Sequence, residues 1–162
     1  MSVQISYKKQ TIFLIIGLFI IFSLIEITAN VWWETQINCE FENSEIFNEI
    51  KNVNTRQLCI DLYNVKTLGN EILPNQQSSS ITINSFGFRG EEFSLEKPDN
   101  TFRIFIVGGS TVFGHGATSD ETTISGYLKS FFQSNSETTV EVINAGIQGA
   151  DSFEELALMK KK

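Results

Sequence analysis

The chain has a single histidine, His115, and only two cysteines, Cys39 and Cys59, in 162 residues. A metal centre needs more ligands than two cysteines and one distant histidine, so no metal or other cofactor is expected. Basic residues are also scarce: 12 Lys and Arg stand against 19 Asp and Glu, for a net charge of −7. No basic cluster lies outside the termini, which argues against a nucleic-acid partner. The short run Lys160-Lys161-Lys162 reads as a solvated helix end. Neither Gly-Lys-Ser/Thr nor Gly-x-Gly-x-x-Gly occurs, so the phosphate-loop and dinucleotide fingerprints are absent. There is no internal repeat. The length allows one modest domain with additions.

What the chain does have is one long apolar run near its start. Residues 12–25 are almost wholly apolar, with Gly17 and Ser23 as soft spots. About 20 largely apolar residues span a bilayer as a helix, and 11–33 reaches that length with Glu26 near one interface. Trp32 and Trp33 supply an aromatic anchor at one end, and Lys8 and Lys9 flank the other. Lysines before the span predict a cytoplasmic tail over 1–10 and an extracytoplasmic location for everything after it. A cleaved signal peptide is the competing reading, although no clean small-x-small site follows; Ile27-Thr28-Ala29 is a poor one. Cys39 and Cys59 fall on the outer side, where a disulfide persists. Two unpaired thiols are the alternative.

The most informative stretch is Arg103-Ile104-Phe105-Ile106-Val107-Gly108-Gly109-Ser110-Thr111. Its apolar part predicts a buried strand that ends at a glycine pair. Ser110 then falls on a tight strand-to-helix turn, at the carboxyl end of the strand, where open α/β sheets place their reaction sites. A nucleophilic serine suits that turn, because the same backbone supplies an oxyanion donor. A second strand is predicted at Val140-Glu141-Val142-Ile143-Asn144, followed by a glycine-containing loop and a helix from Phe153. Two strand–loop–helix units in succession predict a parallel sheet.

Gly108-Gly109-Ser110-Thr111 and Asn144-Ala145-Gly146-Ile147-Gln148-Gly149, in that order, resemble the first two motif blocks of the SGNH (GDSL-like) hydrolase superfamily. Asn84-Ser85-Phe86-Gly87-Phe88-Arg89-Gly90 is similar to a lead-in of its membrane-attached members. The resemblance covers 81–162. It implies a flavodoxin-like α/β domain with Ser110 as nucleophile and the amides of Ser110 and Gly149 as oxyanion donors. The implied substrate is an acyl ester on a glycan, a lipid or a small molecule. Gly109 stands where the family usually has Asp. The family's later Asn donor and Asp-x-x-His pair have no counterpart here, so the chain is expected to be the front part of such a domain and inactive alone. His115, five residues after Ser110, is too close in sequence to reach across a pocket and reads as a polar loop residue.

The expected organisation is therefore a tail (1–10), an anchor (11–33), a connector (34–80) and a partial hydrolase-type domain (81–162). In the connector, Ile46, Phe47, Ile50 and Val53, and then Leu58, Leu62 and Val65, recur at roughly helical spacing, as a packing surface does. Residues 73–80, with Pro74, predict a loop, and Pro98-Asp99-Asn100 a turn before the first strand. Ile124, Tyr127, Leu128, Phe131 and Phe132 predict a helix capped by Ser119 or Asp120. Asp120 and Glu121 at its start are expected to satisfy amides rather than to act as a catalytic carboxylate pair. Two further readings compete with the hydrolase: a non-catalytic outer-surface binding module on the same fold, and a chain too short to fold outside the membrane.

Overall fold

The computed structural model describes residues 6–50, 52–69 and 71–161. Residues 1–5 of the expected tail and the last lysine of the basic end lie outside the described residues. The chain forms two compact units, Met1–Asn38 and Cys39–Lys162.

The first unit is dominated by helix α1 (Tyr7–Gln36), 30 residues long with a mean hydropathy of 2.6 in its most apolar window. It is long and apolar enough to cross a membrane. None of its residues is buried, and apolar side chains cover all its faces, as a lipid-facing helix requires. Its polar side chains turn back on the helix. Thr28 Oγ1 donates to Leu24 O at 2.8 Å, and Asn30 Nδ2 donates to Glu26 O at 3.0 Å. Such internal bonding suits a medium without water.

The second unit begins with a disulfide between Cys39 and Cys59, with Cα atoms 5.5 Å apart. A short helix, α2 (Glu45–Asn48), precedes α3 (Thr55–Tyr63). Asn54 caps α3, its side chain accepting from Gln57 N at 3.0 Å. The buried face of α3 is Leu58, Cys59, Asp61 and Leu62. Two antiparallel hairpins of minimal length follow: β1 (Thr67–Leu68) with β2 (Glu71–Ile72), and β3 (Gln76–Gln77) with β4 (Thr82–Ile83). Leu58, Leu62, Ile72, Ile81, Ile83 and Phe113 form one buried cluster. The segment read as a connector thus shares a core with the segment read as a domain. It does so because its apolar spacing on α3 meets Phe113, the most buried side chain of the cluster.

Asp61 ties the two parts. It is 4% exposed and accepts from Gln57 Nε2 (2.8 Å), Ser79 Oγ (2.6 Å), Ser80 N (2.9 Å) and Ser80 Oγ (2.7 Å). Burial pushes its carboxyl up. The hydrogen bonds from Ser79, Ser80 and Gln57 outweigh that and hold its pKa below the ordinary carboxylate value.

Strands β5 (Thr101–Gly108) and β6 (Thr139–Gly146) pair in parallel, in register from Thr101 opposite Thr139 to Gly108 opposite Gly146. The fold is mixed α/β around this parallel pair. Arg103 Nε meets Glu141 Oε2 at 2.6 Å directly across the two strands. Single antiparallel bridges, Ile83 with Arg89 and Arg89 with Asn144, link β4 to β6. Between β5 and β6 lie α4 (Ser110–Phe113) and α5 (Ile124–Asn135); α6 (Ser152–Lys161) follows β6. The cap of α5 is Thr123, which accepts from Gly126 N at 3.0 Å, and not Ser119 or Asp120. Asp120 is engaged elsewhere, accepting from Arg89 Nε at 2.8 Å and from Thr82 N at 3.1 Å.

Candidate functional site

The site predicted from sequence lies at the carboxyl ends of β5 and β6. Gly108 closes β5, Gly109 caps the four-residue helix α4, and Ser110 is its first residue. Ser110 is half-buried, and its Oγ has no hydrogen-bond partner among the described residues. Its carbonyl accepts from Gly114 N at 3.0 Å and from His115 N at 2.9 Å, which closes the turn. Gly114 takes the left-handed conformation there, with φ of 96°.

The loop after β6 is laid against this turn. Ile147 N donates to Gly108 O at 2.9 Å. A Cβ at Gly109 would stand 3.2 Å from Ala150 O. A Cβ at Gly146 would stand 2.2 Å from Phe113 N, closer than any real contact, so only glycine lets β6 approach α4. Asn144 holds the same junction from within the core. It is 3% exposed, its Oδ1 accepts from Gly146 N at 3.0 Å, and its Nδ2 donates to Phe113 O at 3.3 Å. Gly149 has φ of 78° and open space around it. Neither the Ser110 nor the Gly149 amide is engaged by another described residue. The geometry therefore gathers a serine hydroxyl and two loops with free donors at one end of the parallel pair.

His115 points elsewhere. Its Nε2 lies 2.7 Å from Glu40 Oε1, and its ring packs edge-on against Phe41 at 5.3 Å. No hydrogen bond joins it to Ser110 Oγ. Glu121 is exposed; a hydrogen bond from Ser119 holds its carboxyl below the ordinary value. Among the described residues no three His, Cys, Asp or Glu side chains converge as a metal group.

Sequence reasoning missed Arg89. Its side chain is 1% exposed, yet it bonds four residues in three separate segments. Nε meets Asp120 Oδ1 at 2.8 Å, Nη1 donates to Phe113 O at 3.2 Å and to Gly114 O at 3.1 Å, and Nη2 donates to Ser80 O at 2.9 Å. The guanidinium also lies 5.2 Å from the centre of the Phe113 ring. It thus closes the C-terminal end of α4, the helix that begins with Ser110. The available signal was an arginine held between Gly87-Phe88 and Gly90, in a segment otherwise short of charge.

A cavity of about 550 Å³ lies apart from Ser110, beside β6 and α5, and neither Ser110 nor Gly149 lines it. No protein-family model matches the chain, and no curated protein matches it either.

Proposed function

We propose that this chain carries the nucleophile and oxyanion half of a membrane-tethered serine ester hydrolase of the SGNH type. The observation that carries the reading is the unpartnered, half-buried Ser110 hydroxyl beside the loop that bears Gly149. Ser110 Oγ attacks the carbonyl of an acyl ester on a glycan, lipid or small molecule. The Ser110 and Gly149 amides stabilise the oxyanion, and losing one such donor costs about 10²–10³ in rate. The parallel pairing of β5 with β6 is the pairing that the first two strands of a flavodoxin-like sheet require. Lys8 and Lys9, in the first turn of α1 and ahead of its apolar run, favour a cytoplasmic N-terminus and an extracytoplasmic catalytic unit.

A serine needs a base to be a strong nucleophile, and no described imidazole meets Ser110. His115, turned towards Glu40, favours a second reading: a non-catalytic binding module on the same scaffold. The test uses native membranes that contain the protein. A fluorophosphonate probe is expected to label the peptide holding Ser110, and Ser110→Ala to abolish both the adduct and hydrolysis of short-chain acyl esters. Absence of an adduct, with hydrolysis unchanged in Ser110→Ala, favours the binding module.

A further inference from the structure

The cavity beside β6 has an unusual lining. Six consecutive residues, Thr139 to Asn144, all contribute to it. Successive side chains of a strand point to opposite faces, so a cavity that touches all six runs along the edge of the strand. The other edge of β6 is fully paired with β5. On the cavity side only Asn144 has a partner, the antiparallel bridge to Arg89. The chain then turns away at Gly90, where φ is 115° and the amide donates to Thr82 O at 2.8 Å. Residues 139–143 are left with no strand beside them among the described residues. Gly126, Lys129, Ser130 and Gln133 of α5 form the facing wall.

The charge of the lining is one-sided. Glu91, Glu92, Asp120, Glu121 and Glu141 stand against Arg89 and Lys129. Arg89 is paired with Asp120, Lys129 with Glu91 at 2.6 Å, and Glu141 with Arg103 of β5, which leaves Glu92 and Glu121 as the two lining carboxylates without a paired cation among the described residues. We propose that this groove receives a basic, extended segment of a partner polypeptide, added antiparallel to β6 as a continuation of the Arg89–Asn144 pairing. Main-chain bonds to the edge supply affinity, and the carboxylates select cationic side chains. Five residues of strand cover about 17 Å, so the bound segment is of that length. A second copy of this chain fits poorly, because the strand it would add, β6 itself, has no Lys or Arg to meet Glu92 and Glu121. The groove does not contain Ser110, so this site stands or falls independently of the hydrolase reading.

The test uses the full chain in nonionic detergent micelles and a fluorescein-labelled hexapeptide of alternating Lys and Val. Fluorescence anisotropy is expected to show saturable binding that weakens with added salt. The Glu-Val counterpart, and a Lys-Val peptide methylated at every amide, are expected not to bind. Ser130→Trp, at an exposed wall position, is expected to block the groove and abolish binding, and Glu121→Lys to weaken it about tenfold. Circular dichroism checks that each variant is folded; if Ser130→Trp is not, Glu121→Lys decides. Equal binding of the Lys and Glu peptides, undiminished binding of the methylated peptide, wild-type affinity in the folded variants, or no binding at all overturns the proposal.

Discussion

Replacing Arg89 by methionine keeps most of the aliphatic stem and removes the guanidinium, together with its position 5.2 Å from the centre of the Phe113 ring. Truncating one partner of a buried ion pair costs about 3–5 kcal/mol, and the surroundings here decide where in that range the loss falls. Asp120 keeps the Thr82 amide at 3.1 Å, and its side chain is 21% exposed, so water reaches the carboxylate. Phe113 O keeps Asn144 Nδ2, and Gly114 O keeps the Ala117 amide at 3.0 Å. Ser80 O, in a residue 9% exposed, loses the donor it has. One orphaned carbonyl and one partly hydrated carboxylate place the loss near the lower limit, about 3 kcal/mol. For a unit of this size that corresponds to a fall in Tm of roughly 12 °C. Urea unfolding of the full chain in micelles, followed by circular dichroism, measures it against the constant signal of micelle-bound α1. Arg89→Lys is expected to recover less than half of the loss, because an ammonium group does not reach the carboxylate and three carbonyls together. A loss below about 1 kcal/mol, the scale of an exposed pair, would refute the view that Arg89 is the hub of this unit.

Reducing the Cys39–Cys59 disulfide, which closes a separation of 20 residues, is expected to lower stability by about 3 kcal/mol, read as a shift in the urea midpoint. Gly146→Ala places its Cβ against the backbone of Phe113, which has no flexible end to yield, and is expected to cost about 3 kcal/mol in the same assay. Asp61 has a lowered pKa when folded, so its contribution is complete above the unfolded value of about 3.9 and is lost as pH falls through the folded value. Acid unfolding of Asp61→Asn should therefore show a flatter pH dependence below about pH 4 than the parent chain; identical slopes would contradict the bonding described for Asp61.

The parts of the fold that rest on contiguous pattern were legible in the sequence. Ile104 to Val107 is an apolar run that ends at glycine, Val140 to Ile143 is apolar but for Glu141 and ends at asparagine, and both form strands. Their parallel pairing places the Ser110 turn and the 146–151 loop at one end of the sheet. The long helix α1 needed only its uninterrupted apolar run. What was not legible depends on partners distant in sequence. Asp120 is a sound cap by type, but Arg89, 31 positions earlier, takes its carboxylate, and Thr123 caps instead. The hairpins of two-residue strands carry no periodicity, and they exist through bonds such as Gln76 Nε2 to Lys66 O at 3.0 Å. Asp61 interrupts the apolar face of α3, and only the Ser79-Ser80 turn explains why a carboxylate is buried there.

The position of the disulfide has a mechanical consequence. Cys39 is the first residue of the second compact unit, immediately after the chain that continues from α1. Tension transmitted along the backbone from the helix enters the unit at Cys39 and passes through the sulfur atoms to Cys59 in the buried face of α3. Residues 40–58, including the Glu40 and Phe41 contacts to His115, are thereby shielded from load. Peeling the unit open from its tethered end requires extracting α3 whole, with Leu58 and Leu62, rather than unravelling a loop one residue at a time.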